Sequence, residues 1–370
     1  MQKYVLSTIM GVESLAKKEV ERQGGKIEEV VDRLVTFSGG PEMIPRMNYW
    51  SRVGNKMYML LAEENNVDNF DKLFDTVNEI NWKKYFKKDF PIMVKATSLR
   101  SDLWAVPTIQ GVCKKAIAKS LAWGTNKTIL ENNDLEKMGI LILLVDNKLR
   151  VLLDTTGKAL HMRWYRLEAW EAPIKESLAA ACILLSNWRF RDAFYDPFCG
   201  SGTFAIEALM IARNIAPGLN RRFAFEDLEL VDSEIIQNEI ESAKSKSFQW
   251  EYKVYASDID PEMIEIAKEN AKRAGQDDSI TFEVKDFKEL ALETWLSGIM
   301  VTNPPYDIRL KDDNIGSLYK NIDRIFRTNP ELKWGPITGY AEFDDFINLA
   351  DYKKRKLYNG GELCYFYRRK

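Results

Sequence analysis

The sequence lacks several features that would place it in well-defined classes of protein. No apolar run approaches the ~20 residues needed to span a bilayer, and the N-terminus shows no signal-peptide cleavage pattern. We therefore expect a cytoplasmic protein without a membrane partner. The 370 residues contain one histidine and four cysteines, and the cysteines lie far apart without a CxxC pair. A disulfide framework or a metal site is therefore not expected.

The chain also lacks an excess of charge of either sign. Its net charge of -2 and its pI of about 5.9 argue against a protein that coats nucleic acid by bulk attraction. Local basic clusters are nevertheless present, several with aromatic neighbours. One such cluster alone is compatible with a solvated surface, but together they favour contacts with nucleic-acid phosphates. The candidate residues are Lys83, Lys84, Lys87, Lys88, Arg100, Lys114, Lys115, Arg163 and Arg166.

The length of the chain predicts two or three domains, and two sequence patterns are visible. Residues 1 to about 154 show an α+β pattern. From about residue 170 onward, strands and helices alternate, which predicts a doubly wound, mostly parallel sheet. Two final strands joined through Asn359 and Gly360 form a predicted hairpin, so we expect one edge strand to run antiparallel.

A glycine-rich loop follows the first strand of the second half and opens a helix. Its sequence, DPFCGSGT, occupies residues 196–203. Gly200 and Gly202 allow the backbone to approach a ligand closely, and the helix beyond offers unpaired N–H groups. The spacing also matches the dinucleotide fingerprint. Asp196 would repel a pyrophosphate but attract the ammonium group of an amino acid, which favours S-adenosylmethionine over a nicotinamide cofactor.

Two further acids end the next two predicted strands. Asp258 is placed to bind both hydroxyls of a ribose, and Asp286 to meet an adenine amino group, because ligands bind at the carboxyl ends of strands in doubly wound sheets. Asp258 could instead cap the following helix, but Asp260 is better placed for that cap.

The segment VTNPPY, residues 301–306, predicts a strand that ends in a rigid turn. The Asn303 side-chain oxygen and the Pro304 carbonyl could accept both N–H bonds of an exocyclic amine, and so aim its lone pair at a methyl donor. Such positioning can contribute ~7–11 kcal/mol. Stacking of the base on Tyr306 could add ~1–3 kcal/mol. An extruded or unpaired nucleotide is the expected substrate.

Five segments together resemble the THUMP-domain methyltransferases that modify guanine N2 in 23S ribosomal RNA. They are DPFCGSGT, RNIAPGLNR, SDIDPEMIEIAKENAKRAG, VTNPPY and KKRKLYNGGELCYFY. The resemblance covers nearly the whole chain and implies a class I methyltransferase fold, S-adenosylmethionine as donor and 23S ribosomal RNA, or a precursor particle, as partner. It further implies a ferredoxin-like module at residues 1–60, a THUMP RNA-binding domain at 61–155 and the methyltransferase domain at 156–370.

The resemblance also assigns roles to single residues. The catalytic tetrapeptide is Asn303, Pro304, Pro305 and Tyr306. The implied cofactor-binding residues are Asp196, Phe198, Gly200, Ser201, Gly202, Thr203, Asp258, Ile259, Asp286, Phe287 and Asn303. Residues 173–177 resemble a motif that packs under the methionine end of the cofactor.

Several alternatives remain open. The same chemistry could serve guanine N2 of tRNA, adenine N6 of a nucleic acid or the glutamine amide of a release factor. An NAD-dependent oxidoreductase would use Gly200 and Gly202 differently, and an RNA-binding protein without catalysis would not need Asn303. A covalent role for Cys199 is less favoured than that of a small buried thiol.

Overall fold

The computed structural model of the protein describes residues 1–85, 91–122, 138–166, 174–290, 296–305, 312–347 and 352–369. Within these residues the chain forms two seven-stranded sheets, one from each half of the sequence. The first sheet ends at Asp154 and the second begins at Phe194. The change of pattern predicted around residues 155–170 therefore falls between the two sheets.

The N-terminal sheet is continuous across the two modules predicted there. Its strands are β1 (Gln2–Thr8), β2 (Lys26–Val31), β3 (Leu34–Gly39), β4 (Gly54–Glu64), β5 (Ile92–Leu99), β6 (Met138–Val145) and β7 (Lys148–Asp154). They are ordered β2-β3-β1-β4-β7-β6-β5, and β5 pairs with β6 in parallel. Strand β4 pairs with both β1 and β7, so the boundary predicted at residue 60 lies inside a shared strand.

Helices of this half pack on the sheet through apolar faces. They are α1 (Glu13–Arg22), α2 (Met43–Trp50), α3 (Phe70–Asn78) and α4 (Val106–Ala122). In α1, Ala16 and Val20 lie one turn apart and are fully buried, and Lys17 and Lys18 are exposed. Glu19 points inward and accepts the Ser51 hydroxyl at 2.8 Å. A short 3-10 helix, Trp82–Lys84, packs against α4.

The C-terminal sheet consists of a parallel core and a hairpin. Its strands are β8 (Phe194–Asp196), β9 (Val254–Asp258), β10 (Ile280–Val284), β11 (Gly298–Thr302), β12 (Leu332–Thr338), β13 (Tyr352–Asn359) and β14 (Glu362–Arg369). The order is β10-β9-β8-β11-β12-β14-β13, with β14 antiparallel to both neighbours. The doubly wound sheet and its hairpin are confirmed. The antiparallel strand is not at the edge, however, because β14 inserts between β12 and β13.

The helices of this half connect the strands on both faces of the sheet. They are α5 (Glu176–Ser186), α6 (Thr203–Ala212), α7 (Ala224–Asp227), α8 (Ser233–Ser245), α9 (Pro261–Arg273), α10 (Phe287–Leu290), α11 (Asp312–Thr328) and α12 (Phe343–Phe346). All ten residues of α6 are buried, as are all five of β11. A central strand covered on both faces reads as a continuous apolar run, as GIMVT does.

The two halves of the molecule share one hydrophobic core. Arg52, which follows α2, donates to the carbonyls of Met210 (3.2 Å) and Ile215 (2.7 Å) in and after α6. The Gly218 N–H donates to the Tyr49 carbonyl at 2.9 Å. These contacts fix the N-terminal half to the helix that follows the glycine-rich loop. Among the described residues, no helix has the length and apolar character needed to cross a membrane.

Candidate active site

The candidate site lies where the strand order of the C-terminal sheet reverses. Strands β8 and β11 are adjacent and parallel, but their connections run to opposite sides of the sheet. Such a switch point opens a crevice at the carboxyl ends of the strands. Asp196 and Asp258 are the last residues of β8 and β9, and Asn303 directly follows β11. The structure thus brings these predicted residues to one edge of the sheet.

The glycine-rich loop turns sharply between β8 and α6. Gly200 and Gly202 adopt φ values of +46° and +82°, a region that side chains disfavour. A Cβ atom on Gly202 would also lie 3.1 Å from the Cβ atom of Ala267 in α9. The Asn270 side chain of α9 donates to the Ser201 carbonyl at 3.0 Å. The loop is therefore held against α9 in one conformation, with the first N–H groups of α6 behind it.

Asp258 links the loop to the neighbouring strand. One carboxylate oxygen accepts the N–H of Gly200 at 2.9 Å, and the other accepts the N–H of Asp260 at 3.1 Å. Asp260 caps α9 by accepting from the Glu262 N–H at 2.8 Å, as the sequence predicted. Ile259 is 66% exposed beside Asp258. An exposed apolar side chain next to a carboxylate fits a nucleoside, which presents a flat base beside its ribose hydroxyls.

Asp196 bonds across the switch point to the residue before Asn303. The Thr302 hydroxyl donates to Asp196 Oδ1 at 2.7 Å, and both side chains are buried. Asp196 Oδ2 is buried without a hydrogen-bond partner in the part of the chain that the structure describes. Burial raises the pKa of the Asp196 carboxyl to about 7, the Thr302 hydrogen bond opposes this, and Asp258 adds to it. A cationic ligand at Oδ2 would satisfy this acid.

The tetrapeptide after β11 is supported from behind by α11. Asn303 is half-buried, Pro304 is buried and Pro305 is exposed. The Tyr319 hydroxyl donates to the Pro305 carbonyl at 3.3 Å and lies 3.1 Å from the Thr338 hydroxyl. Tyr306, predicted to stack on the base, lies outside the described residues. Sequence reasoning missed Tyr319, because a tyrosine in an amphipathic helix gives no signal of such a contact.

Residues after β10 lie against the loop that follows β8. The rings of Phe198 and Phe287 lie 4.8 Å apart between centroids, so the loops after β8 and β10 touch. One oxygen of the half-buried Asp286 accepts the Lys288 N–H at 2.9 Å. The acid therefore caps the short helix α10 while remaining at the edge where the adenine contact was predicted.

Arg166 contacts the glycine-rich loop and is not part of an exposed surface. Its side chain is 9% exposed and pairs with Glu176 at 3.2 Å. It also donates to the Ser201 hydroxyl at 3.2 Å and to the Thr203 hydroxyl. The prediction of Arg166 as an RNA contact thus does not agree with its burial. The resemblance of residues 173–177 to a motif near the cofactor could have suggested this position, because Glu176 belongs to that segment.

Arg163 is likewise an internal residue. It is 4% exposed, donates to the carbonyls of Leu160 and Arg52, and lies 3.4 Å from Glu207. A guanidinium enclosed in this way is not placed to contact RNA. The prediction of a phosphate contact there does not agree with the structure.

The remaining predicted RNA contacts lie on the N-terminal half. Lys83, Lys84, Lys114 and Lys115 are exposed, on the 3-10 helix and on α4, which pack together. Arg100 is exposed but donates to both oxygens of Asp146, at 2.7 and 2.8 Å. Lys87 and Lys88 lie outside the described residues.

Cys199 is a buried structural residue of the loop. It is 6% exposed, and burial raises the pKa of its thiol well above the ordinary value. A protonated, enclosed thiol is a poor nucleophile, in agreement with the predicted packing role. The described residues also assemble no cluster of His, Cys, Asp and Glu that could hold a metal ion.

The site residues fit S-adenosylmethionine. Asp196 offers a buried acceptor for the ammonium group, Asp258 a carboxylate for the ribose, and Ile259 an apolar surface for the adenine. Together with the reversed strand order and the inserted antiparallel strand, these features define a class I, S-adenosylmethionine-dependent methyltransferase.

The family model described as "RMKL-like, methyltransferase domain" matches residues 163–367, and the one described as "RlmL ferredoxin-like domain" matches residues 3–58. The chain belongs to the RMKL-like methyltransferase family.

Similar proteins agree with this family. "Putative RNA methyltransferase YpsC" of Bacillus subtilis is 35% identical over 368 residues, covering 97% of this chain and 94% of that protein. "Ribosomal RNA large subunit methyltransferase K/L" of Aliivibrio salmonicida is 32% identical over 380 residues, covering 98% of this chain and 53% of that protein. The chain therefore spans about half the length of the K/L protein.

A solved structure supports the same assignment of fold and cofactor. The crystal structure of SMU.472, which is complexed with SAH, has a TM-score of 0.89 and 34% identity to this chain. The alignment covers 100% of this chain and 97% of that one. The fold class and the cofactor predicted from the sequence are thereby confirmed.

The state of Asp196 predicts a pH dependence of cofactor binding. Below pH 7 its carboxyl is protonated in the free protein and cannot attract an ammonium group, because its pKa is raised to about 7. We expect the affinity for SAH to rise by up to about tenfold between pH 6 and pH 7.5, measured by calorimetry. Asp196→Asn should remove this dependence. Asp260→Asn, which preserves the cap of α9, should keep it; a pH dependence that survives in Asp196→Asn contradicts the assignment.

Proposed function

We propose that the protein transfers a methyl group from S-adenosylmethionine to the exocyclic N2 amine of a guanine in 23S ribosomal RNA. The observation that carries this proposal is the position of Asn303 and Pro304, directly after β11 and coupled through Thr302 to Asp196 of the cofactor site. Support for an RNA acceptor comes from the relatives, whose names describe an RNA methyltransferase and a ribosomal RNA large subunit methyltransferase.

The chemical problem is the weak nucleophilicity of the amine. Its lone pair is delocalised into the base, and the two hydrogens lie in the plane of the ring. The Asn303 side-chain oxygen and the Pro304 carbonyl are two acceptors that can bind these hydrogens and favour a pyramidal nitrogen. S-adenosylmethionine supplies an electrophilic methyl group on a positively charged sulfur. The nitrogen loses one proton after the transfer, so a strong general base is not required.

The rigid surroundings of the tetrapeptide suit this task. Pro304 is buried, Tyr319 bonds to the Pro305 carbonyl, and Asp196 bonds to Thr302. The backbone that carries the two acceptors is held on both sides and so loses little freedom when the amine binds. Positioning of this kind can supply much of the rate enhancement.

The N-terminal half offers the surface for capturing RNA. Its exposed lysines Lys83, Lys84, Lys114 and Lys115 can contact phosphates. Trp104, between β5 and α4, is 80% exposed and can stack on an unpaired base. These contacts would hold a structured RNA while one nucleotide enters the catalytic site.

Methyl transfer to defined acceptors tests the proposal. The purified protein is incubated with labelled S-adenosylmethionine and with 23S ribosomal RNA, tRNA, DNA or release factor in parallel, and the products are digested and separated. We expect label in N2-methylguanosine from 23S ribosomal RNA. Label in N2-methylguanosine from tRNA, in N6-methyladenine or in a glutamine amide would assign another acceptor to the same site. Tight NAD binding without methyl transfer would overturn the proposal.

A further inference from the structure

The C-terminal hairpin carries a row of cations on the edge strand of the catalytic sheet. Lys353, Lys354, Arg355 and Lys356 follow one another in β13, and all four are exposed. Strand β13 pairs with β14 and is the last strand of the sheet. Their position in the fold, rather than the charge run alone, suggests a function.

The register of the sheet aligns one of these cations, Arg355, with Asn303. Thr302 pairs with Pro336 in β12, so Asn303 lies level with the next residue, Ile337. Ile337 pairs with Phe366 in β14, which in turn pairs with Arg355 in β13. Three strand spacings separate the two positions, a distance of about 14 Å. Arg355, in the middle of β13, and the adjacent Lys356 therefore lie three strands away from Asn303 across the sheet.

The N-terminal half supplies the opposite wall of a cleft at this strand. Residues from both halves line this open cleft, which has a volume of about 660 Å³; they are Gly11, Glu13, Ser14, Lys17, Val30, Lys354, Arg355 and Lys356. We call this the basic cleft. The walls meet at Gly11, where a Cβ atom would lie 2.6 Å from the Lys356 carbonyl oxygen.

The charges of the basic cleft are not balanced internally. Within the described residues, Arg355 and Lys356 form no ion pair, and Lys356 lies 5.6 Å from the Tyr358 ring. Lys354 pairs with Asp344 and lies 4.1 Å from the Tyr365 ring. The acid of the cleft, Glu13, already accepts two backbone N–H groups: that of Gly11 at 3.0 Å from both carboxylate oxygens, and that of Arg33 at 3.0 Å from one of them. A ligand in the cleft therefore meets uncompensated positive charge.

We propose that the basic cleft binds the phosphate backbone of the RNA beside the nucleotide that is methylated. This inference rests on the proposed function, and it adds a phosphate-binding surface from the catalytic half to the lysines of the N-terminal half. Lysines on an edge strand also prevent pairing with other sheets. That protective role requires neither a second wall nor proximity to Asn303, and it predicts no effect on RNA affinity.

Removal of two cations tests the inference. The full chain with Arg355→Gln and Lys356→Gln is compared with a matched control, Lys244→Gln and Lys272→Gln, which removes two exposed cations from α8 and α9. Affinity for a 23S ribosomal RNA transcript is measured at several salt concentrations. We expect the first pair to bind about tenfold more weakly and to lower the slope of log K against log salt by about 1.5. The control should match the wild type.

Affinity for SAH, measured in the same preparations, reports on an intact catalytic half and should be unchanged in both double variants. RNA affinity and salt dependence equal to wild type in Arg355→Gln and Lys356→Gln would overturn the inference and leave the proposed function standing. Equal losses in the two double variants would also overturn it, since the effect would then be one of net charge. A wild-type protein that binds no RNA would overturn the proposed function itself.

Discussion

Replacing Asn303 by alanine is expected to abolish methyl transfer while leaving SAH binding close to that of the wild type. The substitution removes one of the two acceptors for the amine, and the Pro304 carbonyl alone cannot fix the direction of the lone pair. We expect kcat to fall by about a thousandfold, at the upper end of the range found when one positioned transition-state contact is lost. Single-turnover methyl transfer and SAH calorimetry measure the two quantities separately.

The control for Asn303→Ala is a variant that should impair binding of the methyl donor. Asp258→Ala removes the carboxylate that accepts the Gly200 N–H and that we propose binds the ribose, so it should weaken SAH binding strongly. If Asn303→Ala instead lost SAH affinity to the same extent as Asp258→Ala, the Asn303 side chain would contribute to binding the methyl donor. The proposed hydrogen bonding of Asn303 to the acceptor amine would then be wrong.

The polar residues of the site could be predicted because they end strands. Asp196, Asp258 and Asn303 each follow a short apolar run, and parallel strands bring their carboxyl ends to one edge. The alternation of strands and helices was therefore enough to predict which edge of the sheet carries the site.

Contacts made across the fold gave no such signal. Arg166 reads as part of a basic, aromatic surface cluster, yet it lies beside the hydroxyls of Ser201 and Thr203. Its true position depends on how the segment between the two sheets returns over the glycine-rich loop. Local composition does not contain that information, which is why the RNA assignment of Arg163 and Arg166 does not agree with the structure.

Helix α2 and strand β4 show no clear period in the sequence. Helix α2 is buried on nearly all sides, so it has no polar face that would mark it as amphipathic. Strand β4, with sequence GNKMYMLLAEE, mixes residues typical of helices and strands. It pairs with both β1 and β7, so residue 60 lies within a strand shared by both parts of the N-terminal sheet.

A buried charged network joins the two halves behind the catalytic site. Glu207 of α6 is fully buried and lies 3.4 Å from Arg163; the Tyr165 hydroxyl donates to it at 3.1 Å. Arg52 of the N-terminal half is also buried, which lowers the pKa of its guanidinium to about 10, while the charge of Glu207 opposes this. Since α6 begins at the glycine-rich loop, the network connects the N-terminal half to the helix that follows this loop.

Glu207→Ala should therefore destabilise the protein strongly. It would leave the Arg163 cation buried without its counter-charge, which typically costs ~3–5 kcal/mol. Glu239→Ala is the matched control: Glu239 pairs with Arg46 across the same two halves, but this pair is partly exposed and should cost only about 1 kcal/mol. Urea unfolding followed by tryptophan fluorescence measures both. Equal losses of unfolding free energy would show that the buried carboxylate does not hold the halves together, and that apolar packing alone sets their orientation.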